Sequence, residues 1–178
     1  KELSKWCLER NLNFWCDKST KNELRSEELA RNWRYKNLIR YAKTLTAQSK
    51  TFPCNHILTG HTSTDRAETL IFNLSRGCHL RGLGSLPYKR KLDDEINLVR
   101  PFLIFNREDT KEICSEMNLP IWVDPSNKNL NLSRNRIRQE ILPILEELHP
   151  GSSRRIAALS ERLSHLSENE KVLANLAI

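Results

Sequence analysis

The stretch HILTGHTSTDRAET, which spans residues 56–69, indicates the fold more clearly than any other part of the chain. Its apolar start, residues 56–59, predicts a short strand, and Gly60-His61 predicts a turn from that strand into a helix. Asp65 and Glu68 are three residues apart, so a helix places both carboxylates on one side of its first turn. Parallel α/β sheets bind ligands where strands end and helices begin. The stretch therefore predicts a site that recognises a cationic group.

The same residues also have purely structural interpretations. Thr62 and Asp65 have the spacing of a capping box, in which the acid only satisfies the end of the helix. Glu68 could be a solvated helix residue. His61 could polarise a ligand or titrate near neutral pH, but a single histidine after glycine is more often structural. The residues alone leave both interpretations open.

Predicted helices alternate with predicted strands along the chain. Helices are expected at residues 1–11, 23–48, 63–75, 107–118, 133–148 and from 152 to the end, and strands at 13–16, 56–59 and 97–100. We expect a glycine C-cap at Gly77 and N-caps at Asn106 and Ser133. A Gly-rich loop is expected over 77–84, a turn at 124–127 and a kink at Pro143. The last helix should bury an apolar stripe of Ile156, Leu159, Leu163 and Leu166. This alternation predicts an α/β layer fold followed by a helical C-terminal extension.

The composition is basic, with a net charge of +7 and a pI near 9.3 over 178 residues. One basic cluster consists of Arg76, Arg81, Lys89, Arg90 and Lys91, and a second consists of Arg134, Arg136 and Arg138. Three cations at the start of a helix oppose its dipole, and a bound phosphate would explain them. Both clusters suit nucleic acid, although each could equally be a solvated surface. Arg34, among aromatic residues, could be an anion clamp or an ordinary exposed arginine.

The five cysteines are scattered, and no two lie close enough to form a CxxC pair. This pattern is typical of reduced thiols in a cytosolic type of compartment, and it predicts no metal site. The sequence has neither an apolar run of membrane-spanning length nor a visible signal peptide. We therefore expect no membrane partner.

Several blocks carry a family resemblance because they occur together and in order. They are ARNWRY at 30–35, GHTSTDRAETL at 60–70, RGCHLRGLGSL at 76–86, VRPFL at 99–103, WVDPSN at 122–127 and RNRIR at 134–138. Together they closely resemble the tRNA(Ile)-lysidine synthetase family of the N-type ATP-pyrophosphatase group. In that family, ATP adenylates the wobble cytidine of a tRNA(Ile) with a CAU anticodon. The amine of free L-lysine then attacks C2 of the base, and AMP leaves.

The resemblance implies a partial doubly wound parallel sheet of the adenine-nucleotide alpha-hydrolase type. Residues 1–148 would be the C-terminal portion of the ATP-pyrophosphatase-like catalytic domain, and 149–178 a connecting helix. It also implies ATP with Mg²⁺ as cofactors, tRNA(Ile) and lysine as partners, a possible homodimer, and a cytoplasmic location, with the plastid stroma as another possible one.

The resemblance assigns roles residue by residue. Asp65 and Glu68 match the acids that recognise lysine, and Arg34 and Arg134 match arginines at the lysine and adenylate site, which we predict to be catalytic. The residues predicted near the nucleotide or RNA are His61, Arg76, Gly77, Asn127, Arg136 and Arg138. No metal ligand is assigned.

The sequence departs from the family at one important point. The family's SGGxDS phosphate loop does not occur in these 178 residues. We expect that roughly the first 80–100 residues of a family member are missing and that the chain alone is inactive in lysidine formation.

Two alternatives stay open. A tRNA thiolation enzyme of the same superfamily is the nearest enzymatic alternative, although members that use iron-sulfur clusters or zinc carry cysteine pairs, which this sequence lacks. A non-catalytic RNA-binding module with the same fold would also lack the phosphate loop. RNA binding alone, however, does not require the paired acids Asp65 and Glu68, which argues for a catalytic protein.

Overall fold

The computed structural model describes residues 2–20, 25–49 and 51–176. The α-helices are α1 (Glu2–Leu8), α2 (Glu27–Gln48), α3 (Ser63–Ser75), α4 (Leu80–Leu83), α5 (Arg107–Glu116), α6 (Ser133–Arg136), α7 (Leu142–Leu148) and α8 (Ser152–Leu176). The strands are β1 (His56–Leu58), β2 (Lys89–Lys91) and β3 (Asn97–Val99). Two 3₁₀ turns cover Pro101–Ile104 and Pro125–Lys128, and a π-helical turn covers Ile137–Ile141. Within these described ranges, no helix is both long and apolar enough to span a membrane.

The chain divides into two units, one formed by Lys1–Ile57 with Leu92–Ile96 and the other by Leu58–Lys91 with Asn97–Ile178. In the first unit, α2 begins at Glu27 because the Ser26 side chain accepts a hydrogen bond from the Leu29 N–H at 3.1 Å. The predicted start at residue 23 falls outside the described residues. Arg25 and Ser26 precede the helix as a bend, so it begins later than predicted.

The strand predicted at 13–16 is wrong. The Trp15 ring packs against Tyr41 of α2 with 5.6 Å between the ring centroids, and Asp17 accepts a 2.6 Å hydrogen bond from Arg40. Residues 12–20 form neither helix nor strand. The aromatic pattern that predicted a strand therefore reflects packing against a helix.

The strands form one sheet in the order β1-β3-β2. β2 pairs antiparallel with β3, with Lys89 opposite Val99 and Lys91 opposite Asn97. The sequence did not predict β2, because its Lys-Arg-Lys composition lacks an apolar face and all three residues are exposed. The strands predicted at 56–59 and 97–100 are confirmed, each one residue shorter than expected.

α3 has the predicted bounds, and Gly77 follows its C-cap residue Arg76 with a φ of +69°. This left-handed conformation suits glycine and confirms the predicted C-cap. The Gly-rich loop predicted after it is partly wrong, because Leu80–Leu83 form the short helix α4. The Asn73 amide donates a 2.7 Å hydrogen bond to the Gly82 carbonyl and so joins α3 to α4.

The helix predicted over 133–148 is interrupted by the π-helical turn, which ends just before Pro143. A proline ring does not fit against the preceding turn of a regular helix, so an irregularity here is expected. The predicted N-cap at Ser133 is wrong, since Leu132 occupies that position. The predicted N-cap at Asn106 is confirmed as a capping box with Asp109.

The apolar stripe predicted on α8 is partly wrong. Ile156 packs against the core and Leu163 is half-buried, but the other two leucines are exposed. Leu159 and Leu166 are 48% and 53% exposed, whereas the residues with at most 8% exposure on this helix include Ala157, Ser160 and Ser167. Near Ser160 and Ser164, α8 lies so close to Gly84 that a Cβ atom at Gly84 would come within 2.5 Å of the Ser164 backbone. Ala157 joins Ala67 of α3 in a small core that also contains Ile137 and Leu142.

Candidate functional site

The start of α3 is held by the capping box that the sequence predicted. The Thr62 N–H and the Thr62 hydroxyl both donate to Asp65 Oδ2, at 2.8 and 2.9 Å, and the Thr62 Oγ1 accepts from the Asp65 N–H. The Ser63 N–H and hydroxyl both donate to the Phe105 carbonyl, at 2.8 and 2.9 Å. One carboxylate oxygen of Asp65 is therefore committed to the helix end.

The other acid oxygens face a single guanidinium group. Arg138, on the π-helical turn, donates from Nε to Glu68 Oε1 at 2.5 Å and from Nη2 to Glu68 Oε2 at 2.8 Å. Its Nη2 also donates to Asp65 Oδ1 at 3.2 Å. We call Asp65, Glu68 and Arg138 the acid–arginine cluster. With all three groups ionised, its two carboxylates and one guanidinium leave one net negative charge.

The Glu68 side chain is only 3% exposed. Burial raises the pKa of Glu68 above its ordinary value, and the hydrogen bonds and charge of Arg138 oppose this shift without cancelling it. For Arg138, burial disfavours the charged form, but the hydrogen bonds to Glu68 and the charges of both acids outweigh it, so its pKa is raised. The two acids therefore stabilise the charged form of Arg138, whereas burial disfavours the charged form of Glu68.

Two more arginines lie on one aromatic ring beside the cluster. The guanidinium carbons of Arg76 and Arg134 are 5.2 and 5.8 Å from the centroid of the Phe72 ring. These distances fit cation–π contacts. The structure therefore brings together Arg134, predicted to be catalytic, and Arg76, predicted to lie near the nucleotide or RNA.

Residues 1–145 match the family model described as the PP-loop domain. The chain belongs to the PP-loop domain family. This membership confirms the α/β fold class and the family resemblance expected from the sequence.

Two curated relatives of this PP-loop chain share the name tRNA(Ile)-lysidine synthase. The tRNA(Ile)-lysidine synthase of Prochlorococcus marinus is 53% identical over 177 residues, covering 99% of this chain and 53% of the relative. The chloroplastic tRNA(Ile)-lysidine synthase of Pyropia yezoensis is 40% identical over 146 residues, covering 82% of this chain and 42% of the relative. The chain spans about half the length of the curated relatives it matches.

A solved structure shares the fold. The U34-tRNA thiolase NcsA from Methanococcus maripaludis, with its 4Fe-4S cluster, aligns with a TM-score of 0.60 over 92% of this chain and 55% of that one. At 23% sequence identity the likeness shows the fold alone.

The remaining predicted residues are more dispersed. The Nδ1 atom of His61 lies 2.9 Å from the Thr59 hydroxyl, and Arg136 pairs with Glu140 at the surface, with a distance of 2.9 Å. The Asn127 carbonyl accepts a 2.6 Å hydrogen bond from the Gln139 side chain. Arg34 is exposed on α2 in the first unit, and its role with the acids stays a prediction.

Asn135 is a structural residue of this PP-loop site that the sequence analysis missed. Its buried side-chain amide donates to the carbonyls of Ser126 and Asn129, at 2.8 and 2.9 Å. It thereby fixes the DPSN loop to the start of α6. The turn expected at 124–127 is present, and Asp124 Oδ1 accepts from the Ser126 N–H at 2.9 Å as in an Asx turn. The one available signal for Asn135 was its position inside the RNRIR block, where a neutral residue separates two arginines.

A cleft of about 440 Å³ adjoins the acid–arginine cluster. Arg138 is the member of the cluster that lines this cleft, and the other charged lining residues are Arg107, Glu108, Glu146 and Arg154. This volume is within the range of small-molecule sites. Within the described ranges, no three His, Cys, Asp or Glu side chains are grouped so that they could hold a metal ion.

Proposed function

We propose that the protein joins free L-lysine to the wobble cytidine of a tRNA(Ile) with a CAU anticodon, using ATP to activate the base. The observation that carries the proposal is the acid–arginine cluster, whose one net negative charge suits one ammonium group. The adjoining cleft of about 440 Å³ is lined by three arginines and two glutamates, which suits the anionic groups of lysine or ATP. The name shared by the curated relatives supports the same reaction.

In this reaction the cytidine oxygen attacks the α-phosphate of ATP and pyrophosphate leaves. A lysine amine then attacks C2 of the base, and the oxygen departs with AMP. Lysine also brings a second amine and a carboxylate that must be held. We assign one lysine ammonium to Asp65 and Glu68, and a carboxylate or phosphate to Arg134 and Arg76, whose charge-assisted hydrogen bonds would be strong.

The contacts of Asp65 decide how an ammonium group can enter. Both oxygens of Glu68 already accept short hydrogen bonds from Arg138, and Asp65 Oδ2 is committed to the capping box. The longest contact is the 3.2 Å bond between Arg138 Nη2 and Asp65 Oδ1. An incoming ammonium therefore shares or replaces this contact at Asp65, while Glu68 keeps its pair with Arg138 and attracts the ammonium through its charge.

The acids do not fit the role of magnesium ligands. Their oxygens are engaged by Arg138 and Thr62, which leaves no open set of carboxylate oxygens of the kind Mg²⁺ prefers. The two arginines on Phe72 fit the negative charge of ATP or of an adenylate better. Magnesium, a homodimer, and a cytoplasmic or plastid location stay predictions from the family resemblance.

The test measures AMP release and incorporation of radiolabelled lysine into tRNA(Ile) with a CAU anticodon, using the full-length protein. Glu68→Gln and Asp65→Asn should lose most lysine incorporation, because each removes a negative charge from the cluster. Glu147→Gln is the matched control, since Glu147 is an exposed acid on α7 outside the cluster. A protein that binds this tRNA but neither consumes ATP nor incorporates lysine would instead be an RNA-binding module.

A further inference from the structure

We propose that a second cleft, between the edge strand β2 and helix α8, binds the phosphodiester backbone of RNA. This inference rests on the proposed function, because it gives the tRNA substrate a docking surface separate from the acid–arginine cluster. The cleft measures about 320 Å³ and shares no lining residue with the cleft beside the cluster. We call it the basic cleft. Its charged lining residues are Arg81, Lys89, Arg90 and Glu168.

The charge of the basic cleft favours an anion. Three cationic side chains face one carboxylate, so the lining carries two net positive charges. The cations come from two separate elements, with Arg81 on α4 and Lys89 and Arg90 on β2. They therefore line a groove rather than a single row on one helix, which suits a backbone that follows the groove.

The segment that leads into β2 is fixed by buried arginines. Arg66, which is 4% exposed, donates from Nε and Nη2 to the Leu86 carbonyl, each at 3.3 Å. Arg100, which is 2% exposed, donates to the next carbonyl, that of Pro87, at 2.6 Å. Leu86 has a φ of +57°, a left-handed conformation that is uncommon for a residue with a side chain. Arg66 also pairs with Glu161 on α8 at 3.2 Å, which compensates the burial of its charge. The two buried guanidinium groups thus fix the backbone of this left-handed segment.

The other wall of the basic cleft is equally fixed. The fully buried Ser160 hydroxyl on α8 lies within hydrogen-bonding distance of the Leu83 and Ser85 carbonyls, at 2.8 and 3.4 Å. Gly84 packs so tightly on α8 that a Cβ atom there would lie 2.5 Å from the Ser164 backbone. α8 and the segment before β2 thus form a rigid frame that presents the cations. Because the backbone that carries these cations is already fixed, binding does not have to order it.

An exposed aromatic residue favours RNA over other polyanions. Tyr88 is 54% exposed and lines a neighbouring groove of about 180 Å³, which shares Lys89 and Glu168 with the basic cleft. Unpaired RNA bases stack on exposed aromatic rings, and the phosphates on either side then meet cations. The loop of a tRNA offers both groups together.

The same cations could instead protect an edge strand, since lysine on an exposed edge discourages pairing with another chain. The two explanations differ in their response to charge reversal. A Lys89→Glu, Arg90→Glu variant keeps the edge charged and would preserve RNA binding if edge protection were the only role. We expect this variant to stay monodisperse but to bind RNA poorly.

The experiment measures binding of tRNA(Ile) with a CAU anticodon to the full-length protein over a range of salt concentrations. Lys89→Gln with Arg90→Gln should weaken binding about tenfold or more at low salt. It should also reduce the slope of log K against log salt by roughly 1.5, since each lost phosphate contact contributes about 0.7–0.9. Glu168→Gln should strengthen binding severalfold. The charge-matched control is Lys5→Gln with Lys111→Gln, two exposed lysines outside the basic cleft.

An unchanged salt slope in the cleft variant, or an equal loss in the control, would overturn the inference. Lysine incorporation is measured on the same proteins, where the cleft variant should raise the KM for tRNA and leave kcat unchanged. If no protein incorporates lysine but the salt slope falls only in the cleft variant, the RNA cleft stands and the proposed ligase function falls.

Discussion

Replacing Arg138 by glutamine should destabilise the protein by about 3 kcal/mol at neutral pH. Removing one partner of a buried ion pair costs about 3–5 kcal/mol, because the other charge stays buried and uncompensated. The lower end applies here, since 21% of the Arg138 side chain and 26% of the Asp65 side chain are exposed. Three hydrogen bonds to two acids disappear together. For a chain of this size the loss corresponds to a fall in Tm of roughly 6–12 °C.

The stability that the Arg138→Gln variant loses relative to the wild-type protein should grow as the pH rises. In the wild-type protein burial raises the pKa of Glu68, and Arg138 opposes that shift. Without Arg138, burial and the charge of Asp65 act together, so the pKa of Glu68 rises further. A carboxyl whose pKa is raised on folding favours the folded state below its ordinary pKa of 4.5, and this contribution is lost as the pH rises through the raised pKa. The Arg138→Gln protein should therefore approach wild-type stability in acid and fall behind it toward neutral pH.

Urea denaturation at a series of pH values measures this deficit. Arg136→Gln is the control on the same segment, because Arg136 is 62% exposed and pairs with an exposed Glu140, so its loss should cost at most about 0.5 kcal/mol. Adding Glu68→Gln to Arg138→Gln removes the stranded carboxyl and should recover stability at neutral pH. Equal losses of stability for Arg136→Gln and Arg138→Gln would refute the reasoning. So would a double variant that loses more stability than the two single variants, Glu68→Gln and Arg138→Gln, lose together.

Three further variants probe the frame of the second unit. Gly84→Ala should cost about 2 kcal/mol or more in urea denaturation, since its Cβ would overlap the α8 backbone, whereas Gly60→Ala, whose nearest contact would be 3.8 Å, should cost far less on this account. Asn135→Ala should lose about 1–3 kcal/mol and speed proteolysis of the DPSN loop, because two loop carbonyls lose their donor. Hydrogen bonds from the Ser153 hydroxyl and from backbone N–H groups hold the pKa of Glu146 below its ordinary value, so Glu146 stabilises the fold above that value and the stabilisation is lost as the pH falls. The stability difference between wild type and Glu146→Gln should accordingly shrink in acid, and a difference that grew in acid would contradict this assignment.

The elements that the sequence predicted well have local causes. The bounds of α3 follow from Thr62 and Asp65 at one end and Gly77 at the other, and every group involved lies within a few residues of its partner. The Asn106–Asp109 capping box at α5 is local in the same way. Capping and turn chemistry can therefore be predicted from a single stretch of sequence.

The features that the sequence did not predict depend on distant partners. The buried face of α8 carries Ser160 because this serine approaches Leu83, which lies 77 residues earlier. β2 was missed because its residues are all basic, and only its pairing with β3 makes it a strand. Arg66 is buried on α3 because its guanidinium donates to the Leu86 carbonyl, 20 residues away. A hydrophobicity pattern treats such serines and arginines as exposed, so it assigns them to the wrong face.

The structural and functional interpretations of the α3 acids are compatible, because they use different atoms of the same interface. Glu68 and Phe72 are four residues apart on α3, and Arg138 and Arg134 are four residues apart on the facing segment. Arg138 contacts Glu68 and Arg134 lies on Phe72, so the two spacings of four match in antiparallel order. Asp65 takes part in both, because its Oδ2 accepts hydrogen bonds from the helix cap and its Oδ1 accepts one from Arg138. The DRAET and RNRIR blocks are therefore two sides of one contact, which explains why neither block alone could have predicted that Arg138 is the partner of both acids.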